Sequence, residues 1–228
     1  MRWVLFSIIG VIALATLITI INVLIRESKD NRPTHFSYKE PYTEDAQERA
    51  GELGEKVTFT FLRSLLRDDE YLLTNILLPI RNNKTTEIDS VLVSRKGVFC
   101  IEIKRWSGHV SGTDEDEYWY QRYDDGRKSK TLRNPVKQND NHCDVLEKLF
   151  NNKYLVDNIV LFVGLESDRG IYSKYTYTLR QFERYYLDLD NDLDIEDVSD
   201  IAMKLASYQA TYKELEEHKD RVKRDHQA

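Results

Sequence analysis

The stretch that most constrains the fold is Glu87–Trp106, EIDSVLVSRKGVFCIEIKRW, two apolar runs joined by Ser94-Arg95-Lys96-Gly97. Both runs are rich in β-branched and aromatic residues and Gly97 supplies a tight turn, so the stretch reads as a β-hairpin. Side chains alternate along a strand. Phe99, Ile101 and Ile103 therefore take one face of the second strand, and Val98, Cys100, Glu102 and Lys104 share the other. On the first strand Asp89 shares a face with Val91 and Val93. Counting outward from the turn sets position 89 opposite about position 102. Two carboxylates and an ammonium thus converge at the open end of an otherwise apolar hairpin.

Helical and strand patterns flank this hairpin. GELGEKVTFTFLRSLL, from Gly51, places Leu53, Val57, Phe61 and Leu65 at a spacing of four, with Leu62 and Leu66 alongside. That is one buried helical face. Tyr71–Ile80 is a short apolar run ended by Pro79 and reads as a strand. After the hairpin, alternation around His109–Ser111 and Tyr118–Tyr123 suggests a small extra hairpin with the acidic run Asp114–Glu117 at its tip. NPVKQNDNHCDVLEKLF then begins a helix, with Asn134 as N-cap and Pro135 in the first helical position. Its apolar side is Val136, Cys143, Leu146, Leu149 and Phe150. Asn158–Leu165, NIVLFVGL, is apolar on both faces, as a central strand should be. The tail from Ile195 to about His218 is helical, with a stripe of Ile201, Leu205, Tyr208, Tyr212 and Leu215 that suits core packing or pairing with a second copy. The order of helix, three strands, helix, strand and helix predicts an α/β or α+β fold with a mixed sheet.

The first segment has a different character. Trp3–Ile25 is uncharged, and a helix of about 23 residues reaches roughly 34 Å, enough to cross a bilayer core of about 30 Å. The run exceeds a signal-peptide apolar region and no small-residue cleavage site follows, so a retained transmembrane anchor is expected over residues 1–26. Residues 27–48 are polar, hold Pro33 and Pro41, and read as a tether. Arg26, Lys29 and Arg32 follow the span against Arg2 before it, which favours a cytoplasmic C-terminal body. Cys100 and Cys143 each sit in an apolar segment and read as buried free thiols, with no Cys/His pattern for zinc.

Two readings of Asp89, Glu102 and Lys104 are open on residues alone. The first is a salt bridge at a strand end. The second is a divalent-metal site, because two close carboxylates ionise together cheaply only around a cation, and Mg²⁺ takes one or two carboxylates plus waters or phosphate oxygens. A lysine beside them could stabilise charge that develops in a transition state.

A resemblance bears on that choice. GELGE at the head of the first helix, EID at Glu87–Asp89, EIK at Glu102–Lys104, SGHV after it and NPVKQ at Asn134–Gln138 fall in that order within about 90 residues. Together they resemble the nuclease-related domain (NERD) family, a branch of the PD-(D/E)xK nuclease-like superfamily, over roughly Gly51 to Gly164. The resemblance implies a restriction-endonuclease-like αβββαβ core over residues 49–190, followed by a C-terminal helix and charged tail over 191–228. It implies Asp89, Glu102 and Glu55 as ligands of Mg²⁺ or Mn²⁺, with the Ile103 carbonyl as a further ligand. Lys104 becomes the catalytic lysine, and Gln138 lines the site. Ile88 stands where the superfamily often has proline. The implied partner is nucleic acid, DNA ahead of RNA, with hydrolysis of phosphodiesters as the activity. The alternative is a non-catalytic, membrane-anchored module that binds nucleic acid or a protein.

Charge weighs on both sides. A formal net charge of −6 argues against strong general affinity for phosphates. Locally, Arg122–Arg133 carries Arg127, Lys128 and Lys130, and Tyr118, Trp119, Tyr120 and Tyr123 would suit base stacking or the cover of a hydrophobic edge. His109, His142 and His218 have no spaced partners and read as surface or structural residues.

Overall fold

The computed structural model describes residues 46–165 and 167–225, with the Trp3–Ile25 span and the tether up to residue 45 outside that range. Among the described residues no helix is long and apolar enough to cross a membrane. The described chain begins with α1 (Ala46–Leu65) and continues through β1 (Tyr71–Pro79), β2 (Thr85–Ser94) and β3 (Gly97–Lys104). Then come β4 (His109–Thr113), β5 (Tyr118–Arg122), β6 (Lys130–Arg133), α2 (Pro135–Leu149) and β7 (Val156–Phe162). β8 (Ser167–Tyr172), β9 (Thr176–Thr178), α3 (Leu179–Asp188), α4 (Ile195–Ala206) and α5 (Tyr212–Asp225) complete it. This is a mixed α/β fold.

Five strands form the main sheet in the order β1-β2-β3-β7-β9, with β1, β2 and β3 antiparallel and β7 and β9 parallel to β3. The hairpin is β2–β3, in register from Ser94–Gly97 to Ser90–Ile101, and Gly97 takes φ 145° at the turn. Its two faces lead into two cores. Val91, Val93, Val98 and Cys100 pack under α2 and α4, against Cys143, Leu146, Ile201 and Leu205. Leu92, Phe99, Ile101 and Ile103 pack under α1 and α3, against Phe59, Leu62, Phe182 and Tyr186. Helices on both faces of a sheet explain why β3 and β7 carry apolar residues on both of their faces. Pro79 lies on β1, an edge strand, where a missing N–H is tolerated.

The first helix departs from the expected phase. Its buried side is Phe59 and Leu62, while Val57 is 49% exposed. At 100° per residue Val57 lies about 200° from Phe59, on the far side of the helix. The tail is two helices rather than one. The chain breaks after Ala206, and Gln209 bridges to Ile76 while Leu77 N donates to the Tyr208 carbonyl and Ala210 N to that of Asn75. The break therefore covers the open edge of β1. Ile201 and Leu205, from the stripe that suited either packing or pairing, are buried in the core.

A second sheet, β6-β5-β4-β8, takes β4, β5 and β6 from the segment between β3 and β7 and β8 from the segment after β7. Its inner side, Val110 and Trp119, packs on Val136, Val160 and Phe162. The expected hairpin is β4–β5, but β6, β8, β9 and α3 are not anticipated. KTLR and SDRGIY are too polar and short to declare themselves, and their pairing comes from tertiary context. α3 starts on a capping box formed by Thr178 and Gln181.

Buried amides clamp α2 to the sheet. Asn134 Oδ1 accepts from Val136 N, capping the helix, and its Nδ2 donates to the Thr113, Asp114 and Asp116 carbonyls. Asn139 Nδ2 donates to the Cys100 and Ile159 carbonyls and to Asn158 Oδ1, and Asn158 Nδ2 donates to the Val136 carbonyl. Loss of such a donor leaves buried acceptors unsatisfied. Asn139→Ala is expected to cost about 2–4 kcal/mol in urea unfolding, against less than about 0.5 kcal/mol for exposed Asn141→Ala. Equal small effects would mean that α2 is held by apolar contact alone.

Candidate functional site

The hairpin register delivers the acids to one place. Extending the β2–β3 ladder one step beyond Ser90–Ile101 sets Asp89 against Glu102. Ile103 N donates to Asp89 Oδ2 at 3.0 Å, which fixes that carboxylate to the neighbouring strand. Glu102 is only 2% exposed, in the middle strand of the sheet. Its Oε1 accepts from Lys104 Nζ and, at 2.8 Å, from Gln138 Nε2, while Lys104 also reaches Gln138 Oε1 at 3.4 Å. Gln138 sits in the first turn of α2, so the Asn134 cap that starts the helix also places this amide.

Asp89, Glu102, Lys104 and Gln138 line one cleft of about 530 Å³. Glu55 is on α1, and its side chain lies outside the described ones. Several other lining residues escaped the sequence analysis. Asn75, on β1, takes a left-handed φ of 56° at the step opposite Asp89, where the β1–β2 ladder skips a pair. Its only signal in the sequence is a turn-former interrupting the apolar run YLLTNILLPI. His142 and His218, read as surface or structural residues, are both buried and border the cleft. From α5 come Tyr212 and Lys219 as well.

The electrostatics follow from burial. Burial and the Glu102 charge push the Asp89 carboxyl up to about 7, against the opposing pull of Lys104 and the Ile103 amide. Burial pulls the Lys104 ammonium down, but Glu102 and Asp89 outweigh it and leave its pKa above the ordinary value. Burial and then Lys104 bring His142 down to about 4, so its imidazole is neutral at physiological pH. Glu102 Oε2 and His142 Nδ1 stand 3.8 Å apart, and both are buried without a hydrogen-bond partner.

An unpartnered buried carboxylate oxygen beside a second, proton-retaining carboxylate fits a small hard cation. Among the described residues no three His, Cys, Asp or Glu side chains gather as a metal-binding group. The pair would therefore need oxygens from the Ile103 carbonyl, from Glu55 or from water.

The sequence profile of the nuclease-related domain family, NERD, matches residues 50–163, half of the chain. The chain belongs to that family. NERD is a branch of the PD-(D/E)xK-like nuclease superfamily. The matched span contains Asp89, Glu102, Lys104 and Gln138 and stops before α3, α4 and α5. An uncharacterized protein of Bacillus anthracis is 27% identical over 164 residues, covering 71% of this chain and 73% of that one. No solved structure matches.

The raised Asp89 pKa has a consequence for stability. The folded protein holds this proton up to about pH 7, whereas the unfolded chain releases it near the ordinary 3.8. Between those values the folded state binds more protons, so this group's contribution to stability falls as pH rises. Asp89→Asn removes that cost. In chelator at pH 8 the variant should melt several degrees above the parent, with the gap closing toward pH 4, by circular dichroism. A variant that melts lower at pH 8 would contradict the raised Asp89 pKa.

Proposed function

We propose that this NERD domain is a divalent-metal-dependent phosphodiesterase acting on nucleic acid, on a restriction-endonuclease-like core held at a membrane by Trp3–Ile25. The observation that carries the reading is the Asp89–Glu102 pair, set together by the hairpin register, with one buried Glu102 oxygen unpartnered and both residues lining a polar cleft. Asp89 and Glu102 would hold Mg²⁺ or Mn²⁺, with Glu55 and the Ile103 carbonyl as further ligands. A bound cation of this kind supplies a more acidic water and a Lewis acid for phosphate oxygen. Hydrolysis joins a water oxygen to phosphorus and breaks one phosphorus–ester oxygen bond, and the departing oxygen leaves with a proton. Lys104, charged through the neutral range, places an ammonium beside the phosphate oxygens as their charge grows. Gln138 holds Glu102 Oε1 and Lys104 in one geometry. Neutral His142 adds no competing cation to the buried wall.

Two observations favour the second reading, a non-catalytic binding module. Lys104 is already the counter-ion of Glu102, and among the described residues no third carboxylate, histidine or cysteine completes a metal-binding group with the pair. The readings part in a cleavage assay on labelled single-stranded DNA, duplex DNA and RNA with Mg²⁺ or Mn²⁺. The enzyme reading expects cutting that Asp89→Asn, Glu102→Gln or Lys104→Met each lowers by about a hundredfold or more. Lys104→Met keeps the aliphatic length, but it leaves Glu102 without its cation, so the melting point is measured beside the rate. Binding without metal-dependent turnover in the parent protein would favour the module.

A further inference from the structure

We propose that the outer face of the second sheet is a stacking platform for single-stranded nucleic acid, joined to the cleft by a second depression. The inference rests on the nucleic-acid reading above and adds to it the strandedness of the ligand and the route by which it reaches the site.

The inner face of this sheet is committed to the core, because Trp119 and Gln121 on β5 are buried. Alternation then sends Tyr118, Tyr120 and Arg122 outward. Tyr118 is 49% exposed and Tyr120 63%, large values for tyrosines two residues apart in a regular strand. Directly paired residues of an antiparallel ladder share a face. That adds Arg133 beside Tyr118 and Thr131 beside Tyr120, both exposed. On the far side Tyr172 of β8 is paired with Thr113 and is 74% exposed. The outer face therefore carries aromatic rings set among hydroxyl and guanidinium groups. Rings stack on any base, and cations meet the phosphates between them.

What makes this a route to the site, rather than an isolated patch, is continuity. Arg133 also lines a depression of about 430 Å³ with Asn134 and Lys137. That depression shares Thr86, Gln138 and His142 with the cleft that holds Asp89 and Glu102. Glu117, also in the depression, stands 3.8 Å from Lys137 Nζ, which offsets its charge. Arg122 is held by Asp124, so Arg133 is the cation that the path depends on. A strand with phosphates passing Arg133 can lay bases on Tyr118 and Tyr120 at one end and present a phosphodiester to Lys104 at the other. A duplex keeps its bases paired and stacked and has none to offer the rings.

The test is fluorescence anisotropy on the full chain in detergent and chelator, with a labelled oligothymidylate of about 20 nucleotides and a duplex of equal length. Photo-crosslinking of the same oligomer carrying 5-iodouracil maps the contact on the unaltered protein. The proposal expects crosslinks at Tyr118 or Tyr120 and a loss of at least tenfold in single-strand affinity for Tyr118→Ala/Tyr120→Ala. It also expects near-parent affinity for Tyr118→Phe/Tyr120→Phe, which keeps the rings, and weaker binding of the duplex throughout. Single-strand binding unchanged by the double alanine variant, with crosslinks elsewhere, would overturn the platform and leave the nucleic-acid reading standing. No binding of either oligomer by the parent protein would overturn both.

Discussion

The arrangement at the candidate site depends on one buried carboxylate, Glu102, on the middle strand of the main sheet. A charge in that position has a large desolvation cost and must be compensated by partners. Lys104 and Gln138 supply them at one oxygen only, and the other is left unpartnered. Asp89, one ladder step beyond the last pair, repeats the problem a strand away and keeps its proton well above the ordinary carboxyl range. A sheet built for stability alone would carry apolar residues here. The stored cost is what a cation would relieve, and a structural ion pair gives no reason for the second carboxylate.

That compensation works only while α2 stays in place. The helix is fixed by its Asn134 cap at one end and by Asn139, buried between β3 and β7, one residue after Gln138. Asn134 also pins the β4–β5 turn, so the NPVKQ segment joins the second sheet, the helix start and the site amide. The cleft's remaining wall comes from beyond the NERD match. The segment after α4 covers the β1 edge, and α5 lines the cleft with Tyr212, Leu215, His218 and Lys219, of which Leu215 and His218 are buried. His218 Nδ1 meets Thr85 Oγ1 at 2.8 Å, and Lys84 pairs with Asp225, which ties the middle and the last residue of α5 to the start of β2.

The hairpin and what it carries were legible because period-two alternation and a two-residue turn determine register, and register determines which side chains meet. The Asn-Pro helix start was legible because capping is local. The phase of α1 was not, since Val57 and Phe59 are both apolar and the spacing-four pattern chose the wrong one. Asn75, His142, His218 and the α5 residues were hidden for another reason. They reach the cleft through tertiary packing, from positions about 14 residues before Asp89 to about 130 after it by sequence numbering. Short polar strands such as β6 and β8 exist because neighbours offer them edges, which no local pattern announces.

The most direct measurement is isothermal titration of Mn²⁺ and Mg²⁺ into the chelator-stripped protein and into Asp89→Asn/Glu102→Gln. The account predicts saturable binding by the parent with protons released as Asp89 ionises, and no binding heat from the double variant. Binding that persists in the variant, or none in the parent, would contradict the claim that this carboxylate pair is built for a cation.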